Sequence, residues 1–154
     1  MGFDELMEDL KSGGILKRAN AVAALGKLGD KRAAQVLMKA LEDHSASVRN
    51  NAAFALAELD AKESIPPLIK VLNDPEEWVR KSAAKALGIL RARAAVPALV
   101  EKIDDPSSLV RKSVIRSLGQ IGGAEAIEAL KRAHSQHEKD ISKMAEQALD
   151  KITQ

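Results

Sequence analysis

Apolar residues recur along the chain at two nested periods. The short one is helical. Phe3, Leu6, Met7 and Leu10 stand at i, i+3, i+4 and i+7, as do Ala34/Leu37/Met38/Leu41, Ile65/Leu68/Ile69/Leu72 and Val96/Leu99/Val100/Ile103. Residues so spaced share one face of a helix, so each quartet predicts an amphipathic α-helix and not a strand. The long period is 31 residues. Leu87 has counterparts at Leu25, Leu56, Leu118 and Leu149, and Leu90 at Leu28, Leu59, Ile121 and Ile152. Ala86 matches Ala24, Ala55 and Ala148, with Ser117 in the fourth unit, and Val79-Arg80 recurs as Val48-Arg49 and Val110-Arg111. A fixed period of this length marks a solenoid of stacked supersecondary units. The chain thus divides at approximately 1–29, 30–60, 61–91, 92–122 and 123–154, each unit a helical hairpin of helix A then helix B. Units this small cannot bury enough surface alone, so the five form one all-α domain of about ten helices.

The fifth quartet, Ile127/Leu130/Lys131/His134, is half polar, as expected of an end repeat that lacks a neighbour. Pro66, Pro67 and Pro97 fall near the first turn of their A helices, where a proline removes no intrahelical donor. Asp74 and Asp105 read as N-caps of helix B, with Pro75 and Pro106 at the first helical position, and Asp74 with Glu77 as a capping box. His44 occupies the proline slot after Asp43. Helix B ends at Gly29 and Gly122 in the first and fourth repeats, as suits a left-handed residue. Asp60 and Arg91 stand there in the second and third, which predicts turns of another form. Gly26, Gly88 and Gly119 lie inside helix B, each costing about 1 kcal/mol against alanine, a cost that close helix contact would offset. Ser12-Gly13-Gly14 reads as the loosest loop.

The run from Pro67-Leu68-Ile69 through Asp74-Pro75 and Val79-Arg80 to Ala86-Leu87-Gly88 and Leu90 resembles HEAT repeats, and most of all the short subclass named after phycobilisome lyases. The resemblance covers all five units. It implies a right-handed α-α superhelix with the B helices on the concave side. It also implies a structural Asp–Arg ladder through the inter-repeat turns, with Asp43, Asp74 and Asp105 matched by position to Arg49, Arg80 and Arg111. Arg18 begins the row opposite Ser12, and Gln136 with Ser142 ends it. The family includes scaffolds, chromophore lyases and metal hydroxylases, so the fold alone does not select a function.

Composition narrows the classes. There is no cysteine, hence no disulfide or thiolate metal site, and the chain suits a reducing, cytoplasmic setting. The start Met1-Gly2-Phe3-Asp4-Glu5 lacks the features of a signal peptide, and no apolar run approaches the ~20 residues of a membrane span. Net charge is +2 from 24 basic and 22 acidic residues, too balanced to imply nucleic acid by itself. No Ser/His/Asp order, cysteine nucleophile or phosphate-binding loop is present. His134-Ser135-Gln136-His137-Glu138 has the look of a metal motif. The di-iron hydroxylases of the family, however, carry His-Glu dyads in several repeats, and here there is one. The expectation is therefore a monomeric non-enzyme with no metal and no cofactor.

The side of helix B away from its apolar stripe carries the candidate chemistry. At 100° per residue, Ser47, Asn50, Asn51 and Phe54 lie opposite Val48, Ala52, Leu56 and Leu59. Stacking turns such positions into rows: Leu16, Ser47, Trp78, Leu109, Asp140; Ala19, Asn50, Lys81, Lys112, Lys143; and Ala23, Phe54, Lys85, Arg116, Gln147, with Asn20, Asn51, Ser82, Ser113 and Met144 between. Trp78, Leu109 and Phe54 are apolar groups beside Lys81, Lys85, Lys112 and Arg116. These seven predict a groove for an acidic protein segment with apolar anchors. The alternatives are a nucleic-acid module using the Lys81–Arg116 patch with Trp78 as a stacking platform, a chromophore or cofactor lyase or its accessory subunit, and a designed repeat binder.

Overall fold

The computed structural model describes residues 1–136 and 139–154. Among the described residues the chain is all-α, with ten α-helices and no strand. The A helices are α1 (Phe3–Ser12), α3 (Ala34–Ala40), α5 (Ile65–Val71), α7 (Val96–Glu101) and α9 (Ala124–Gln136). The B helices are α2 (Ile15–Leu28), α4 (Ala46–Glu58), α6 (Glu77–Ile89), α8 (Ser108–Ile121) and α10 (Lys139–Thr153). Successive B helices pack directly on one another, whereas α1, α3, α5 and α7 pack on their own B partners and scarcely meet each other. A stack tighter on one side curves toward that side, so the B helices line the concave face of a solenoid.

Small residues set the tightness. A Cβ built on Gly26 would lie 2.7 Å from the Cβ of Ala55, and one on Gly119 would lie 2.9 Å from the Cβ of Ala148. One on Gly88 would lie 2.5 Å from the Oγ of Ser117. Each glycine thus faces the small residue 29 positions on, and there is no room for a side chain. Polar groups exploit the approach. Asn51 Nδ2 donates to the Ala19 carbonyl (2.9 Å), Ser82 Oγ to Asn50 Oδ1 (2.5 Å), Ser113 Oγ to the Lys81 carbonyl (3.1 Å) and Ser117 Oγ to the Ala84 carbonyl (2.7 Å). Ser82 and Ser113 are therefore buried seams between B helices, not groove surface as their row position predicts. Helical period places them at the edge of the apolar stripe, and the close neighbour covers them.

The helix starts differ from expectation. α6 and α8 begin after Glu76 and Ser107, not after Asp74 and Asp105, so Pro75 and Pro106 lie in the preceding turn. The carboxylate of each Asp accepts the amide two residues on: Ser45 for Asp43 (2.8 Å), Glu76 for Asp74 (2.9 Å) and Ser107 for Asp105 (2.9 Å). This is an Asx turn, which takes the place of an N-cap and of the Asp74–Glu77 box. The helix ends also differ. Asp60 and Arg91 adopt φ +51°, the same left-handed sense as Gly29 at φ +72°, so these turns do not diverge. The Ala61 amide donates to the Leu56 carbonyl and Asp60 to Ala57, with Ala92 to Leu87 and Arg91 to Gly88 repeating the pattern. Burial of Ala61 and Ala92 holds the turn against the side-chain penalty. Gly122 has positive φ but ψ −161°, outside the left-handed helical well. The Gly13 turn is tight: its Cβ position would meet the Asp9 carbonyl oxygen and Lys17.

The core follows the predicted rows, with Leu25, Leu56, Leu87 and Leu118 fully buried. At the C-terminal end the pattern turns polar. Exposed Glu146 takes the slot of buried Val22, Ala53, Ala84 and Ile115, and exposed Asp150 that of Gly26, Ala57, Gly88 and Gly119. Leu149 is only partly buried. At the other end Leu28, in the row of Leu59 and Leu90, is 45% exposed.

Leu87→Ala should cost about 2–5 kcal/mol, as for other buried leucines, and Leu149→Ala clearly less, because Leu87 has repeats on both sides. Denaturant melts check this; the reverse order would contradict a one-dimensional stack.

Candidate functional site

Two ladders of charged side chains run along the stack, the first between repeats and the second within them. In the first, Arg18, Arg49 and Arg80 each grip the aspartate of the next repeat, not of their own. Arg18 donates through Nε and Nη2 to both oxygens of Asp43 (3.0 and 3.0 Å), Arg49 to Asp74 (2.7 and 3.1 Å) and Arg80 to Asp105 (3.0 and 3.1 Å). Within its own repeat the arginine meets only backbone: Nη1 of Arg49, Arg80 and Arg111 donates to the carbonyls of Asp43, Asp74 and Asp105. Matching by position misassigned the side-chain pairs because the guanidinium, one turn into helix B, reaches forward across the inter-repeat gap. Hydrogen bonds from Arg18 hold the Asp43 carboxyl below its usual range. Burial pushes the Asp105 carboxyl up, but the Arg80 guanidinium and the Ser107 amide outweigh it and the carboxyl is held low. Arg49 is correspondingly raised by Asp74. At the C-terminal end Ser142 takes the arginine slot, and its Oγ donates to the His134 carbonyl at 2.6 Å. His134 itself is exposed, with Nδ1 3.1 Å from Ser142 Oγ. His137 and Glu138 lie outside the described residues, as does the side chain of Gln136.

The second ladder was not read from the sequence. Lys31 Nζ donates to the Leu59 carbonyl (2.7 Å) and Lys62 Nζ to the Leu90 carbonyl (2.8 Å). Each lysine places its charge on the C-terminal end of its own repeat's B helix, where the helix dipole favours a cation. The signal was there: Lys31 and Lys62 are one period apart.

The other predicted residues lie on the side of the B helices away from the A helices. Trp78 on α6 is 59% exposed and Leu16 on α2 is 74% exposed. Together with Ser47, Asn50, Asn51 and Glu76 they line a depression of about 540 Å³ that spans α2, α4 and α6. Phe54 is half-buried on α4, and the Lys85 ammonium lies 5.4 Å from its ring centroid, within cation–π reach. Lys81, Lys112 and Leu109 are half-buried, while Lys85 and Arg116 are exposed. The predicted residues thus share one side of the B helices but form no single cluster. Leu109 does not line the Trp78 depression, whereas Leu16 does. Arg116 instead lines a second depression, of about 290 Å³, with Gln120 of α8 and Met144, Gln147 and Lys151 of α10.

The same repeat frame appears in other proteins. The model for HEAT repeats matches residues 3–87, 38–101 and 65–150. The chain belongs to the HEAT repeat family. No curated protein sequence matches it. Among solved structures, a chain in the complex of CpcE and CpcF of phycocyanin lyase from Nostoc sp. PCC7120 superposes with a TM-score of 0.87 at 27% identity. That match covers 99% of this chain, which spans 65% of the length of that neighbour. Computationally designed armadillo repeat proteins for modular peptide recognition align with a TM-score of 0.69 at 25% identity, over 95% of this chain and 80% of theirs. Human deoxyhypusine hydroxylase shares the fold at 19% identity, with a TM-score of 0.60, over 97% of this chain and 73% of its own. Among the described residues of this HEAT chain, no helix is long and apolar enough to cross a membrane.

The ladder makes stability pH-dependent in a defined sense. Asp43 and Asp105 titrate lower folded than unfolded, so their contribution is complete above the unfolded value near ~3.9 and is lost as pH falls through the folded values. Asp105→Asn should therefore destabilise at pH 7 by about 1.5–3 kcal/mol, the scale of hydrogen bonds to a charged group. The gap between parent and variant should close as pH drops below ~4. Denaturant melts of both proteins from pH 7 to pH 2 measure it.

Proposed function

We propose that this HEAT chain is a non-enzymatic scaffold whose concave groove holds a segment of a partner protein. The observation that carries this reading is Trp78. The chain's one tryptophan stands mostly exposed and lines a depression together with an exposed leucine, Leu16. Single exposed apolar residues need no explanation. Trp78, Leu16, Phe54 and Leu109, however, lie on one side of consecutive helices, and tryptophan is the side chain that interfaces use most as an anchor. Lys81, Lys85, Lys112 and Arg116 on the same side favour acidic groups in the partner, supplying steering and register more than affinity. The likeness to designed peptide-recognising solenoids supports a peptide-like occupant, and the likeness to a chain of the CpcE–CpcF complex supports a protein partner.

A partner segment selected by peptide display supplies the test. Trp78→Ala should leave the melt nearly unchanged and weaken binding by about 2 kcal/mol or more. Replacing Lys81, Lys85 and Lys112 by Glu should mainly slow association and flatten its salt dependence. Affinities at two salt concentrations separate the readings. If the charge reversals dominate and the preferred ligand is an oligonucleotide whose log affinity falls steeply with log salt, the groove serves nucleic acid instead. If Trp78→Ala unfolds the protein, the anchor is a core residue and the reading fails.

A further inference from the structure

The groove changes chemistry along its length. On the concave positions of α2 and α4 stand Leu16, Asn20, Ser47, Asn50 and Phe54, with the charges of Lys27 and Glu58 opposed in sign. On α6, α8 and α10 the corresponding rows carry Lys81, Lys85, Lys112, Arg116, Lys143 and Lys151, against the single acid Asp140. The two depressions follow the same division. The first holds Trp78 and Leu16, with Ser47, Asn50, Asn51 and Glu76 also in its lining, and reaches across α2, α4 and α6. The second, between α8 and α10, carries Arg116 and Lys151 with the amides of Gln120 and Gln147. Two cations and two amides suit a carboxylate, and a tryptophan with a leucine suits a large apolar side chain.

We infer that the groove reads its partner at two separated points: a bulky apolar residue beside Trp78, and a carboxylate pair between Arg116 and Lys151. This rests on the protein-binding reading above and adds to it the content and spacing of the bound segment. Charge complementarity fixes the chemistry. Geometry fixes the spacing. The depressions centre about two and a half B helices apart, and packed helices stand 8–10 Å apart, so the separation is roughly 20–25 Å. An extended chain rises about 3.3 Å per residue, so about six to eight residues bridge it. Lys81, Lys85 and Lys112 lie along the way and face the connecting backbone and any further acids.

Fluorescein-labelled peptides with Phe-Leu at one end and Asp-Glu-Asp at the other, in both orders, joined by Gly/Ser spacers of two, six or twelve residues, test this by anisotropy. The six-residue spacer should bind about tenfold or more tighter than the two-residue spacer and than either half alone, because only the longer chain makes the second contact intramolecular. Trp78→Ala, and separately Arg116→Glu with Lys151→Glu, should each erase that advantage while circular dichroism stays unchanged. Equal affinity at two and six residues, with Trp78→Ala still weakening both, overturns the two-point inference and leaves the groove reading standing. Absence of binding by every peptide to the folded protein overturns both. Preference for a single-stranded oligonucleotide over all peptides also overturns both, in favour of phosphate recognition.

Discussion

Close approach between successive B helices governs this molecule. Where Gly26 meets Ala55, Gly88 meets Ser117 and Gly119 meets Ala148, no side-chain atom fits between the backbones. Each glycine inside a helix costs about 1 kcal/mol against alanine, and dispersion across a seam without voids offsets it. The approach brings the Ala19, Lys81 and Ala84 carbonyls within reach of Asn51, Ser113 and Ser117, so short polar side chains bridge repeats that longer ones would push apart. The A helices have no such seam. They stand further apart, the stack bends, and a groove opens on the B side. Curvature here is the consequence of where the small residues lie.

The Asp–Arg ladder depends on that spacing and fixes what the seam leaves free. A row of small contacts resists sliding poorly. The bidentate fork from Arg49 to Asp74 or Arg80 to Asp105 has one good geometry, so it sets the rotation of each repeat on the last. Each aspartate also folds its own turn by accepting the amide two residues on, and it presents its carbonyl to its own repeat's arginine. One residue thereby couples the local turn to the neighbouring repeat. Lys31 and Lys62 act within one repeat instead, tying its opening turn to the C-terminus of its own helix B with a point charge.

The repeat frame was legible because periodicity needs only residue type: buried rows, helix identities, glycine contacts and the polar C-terminal end all follow from slots 31 apart. What failed to read were relations between repeats. Asp74 carries both an N-cap signature and an Asx-turn signature, and only the position of Arg49 in the preceding repeat decides between them. Asp60 and Arg91 look wrong for a left-handed turn, yet burial of the following Ala61 and Ala92 imposes it. Ser82 and Ser113 sit on the boundary between stripe and groove, where 100° per residue cannot say which side a neighbour covers. The groove residues were found as rows, but their grouping was not. Leu16, Trp78 and Leu109 share one row, and the row alone does not say that Leu16, and not Leu109, lines the depression beside Trp78.

Seam and groove occupy different registers of the same helix, and this separation explains how a uniform fold carries a non-uniform surface. In the seam row Ala24, Ala55, Ala86, Ser117 and Ala148, Ala55, Ser117 and Ala148 are small because the glycine backbone of the preceding B helix lies against them. The groove row Leu16, Ser47, Trp78, Leu109 and Asp140 runs through every chemical type, because no neighbour in the stack constrains it. In α10 the repeat departs at two otherwise enclosed slots, where Glu146 and Asp150 stand exposed. Departures within the groove leave the stack unchanged and alter only what the concave face can hold. The drift from neutral and apolar at α2 and α4 to basic at α6, α8 and α10 is of the second kind. It costs the fold nothing in packing, since Lys85 and Arg116 are exposed and Lys81 and Lys112 are half-buried. A gradient with no structural cause of its own is what the proposed reading of an asymmetric partner segment rests on.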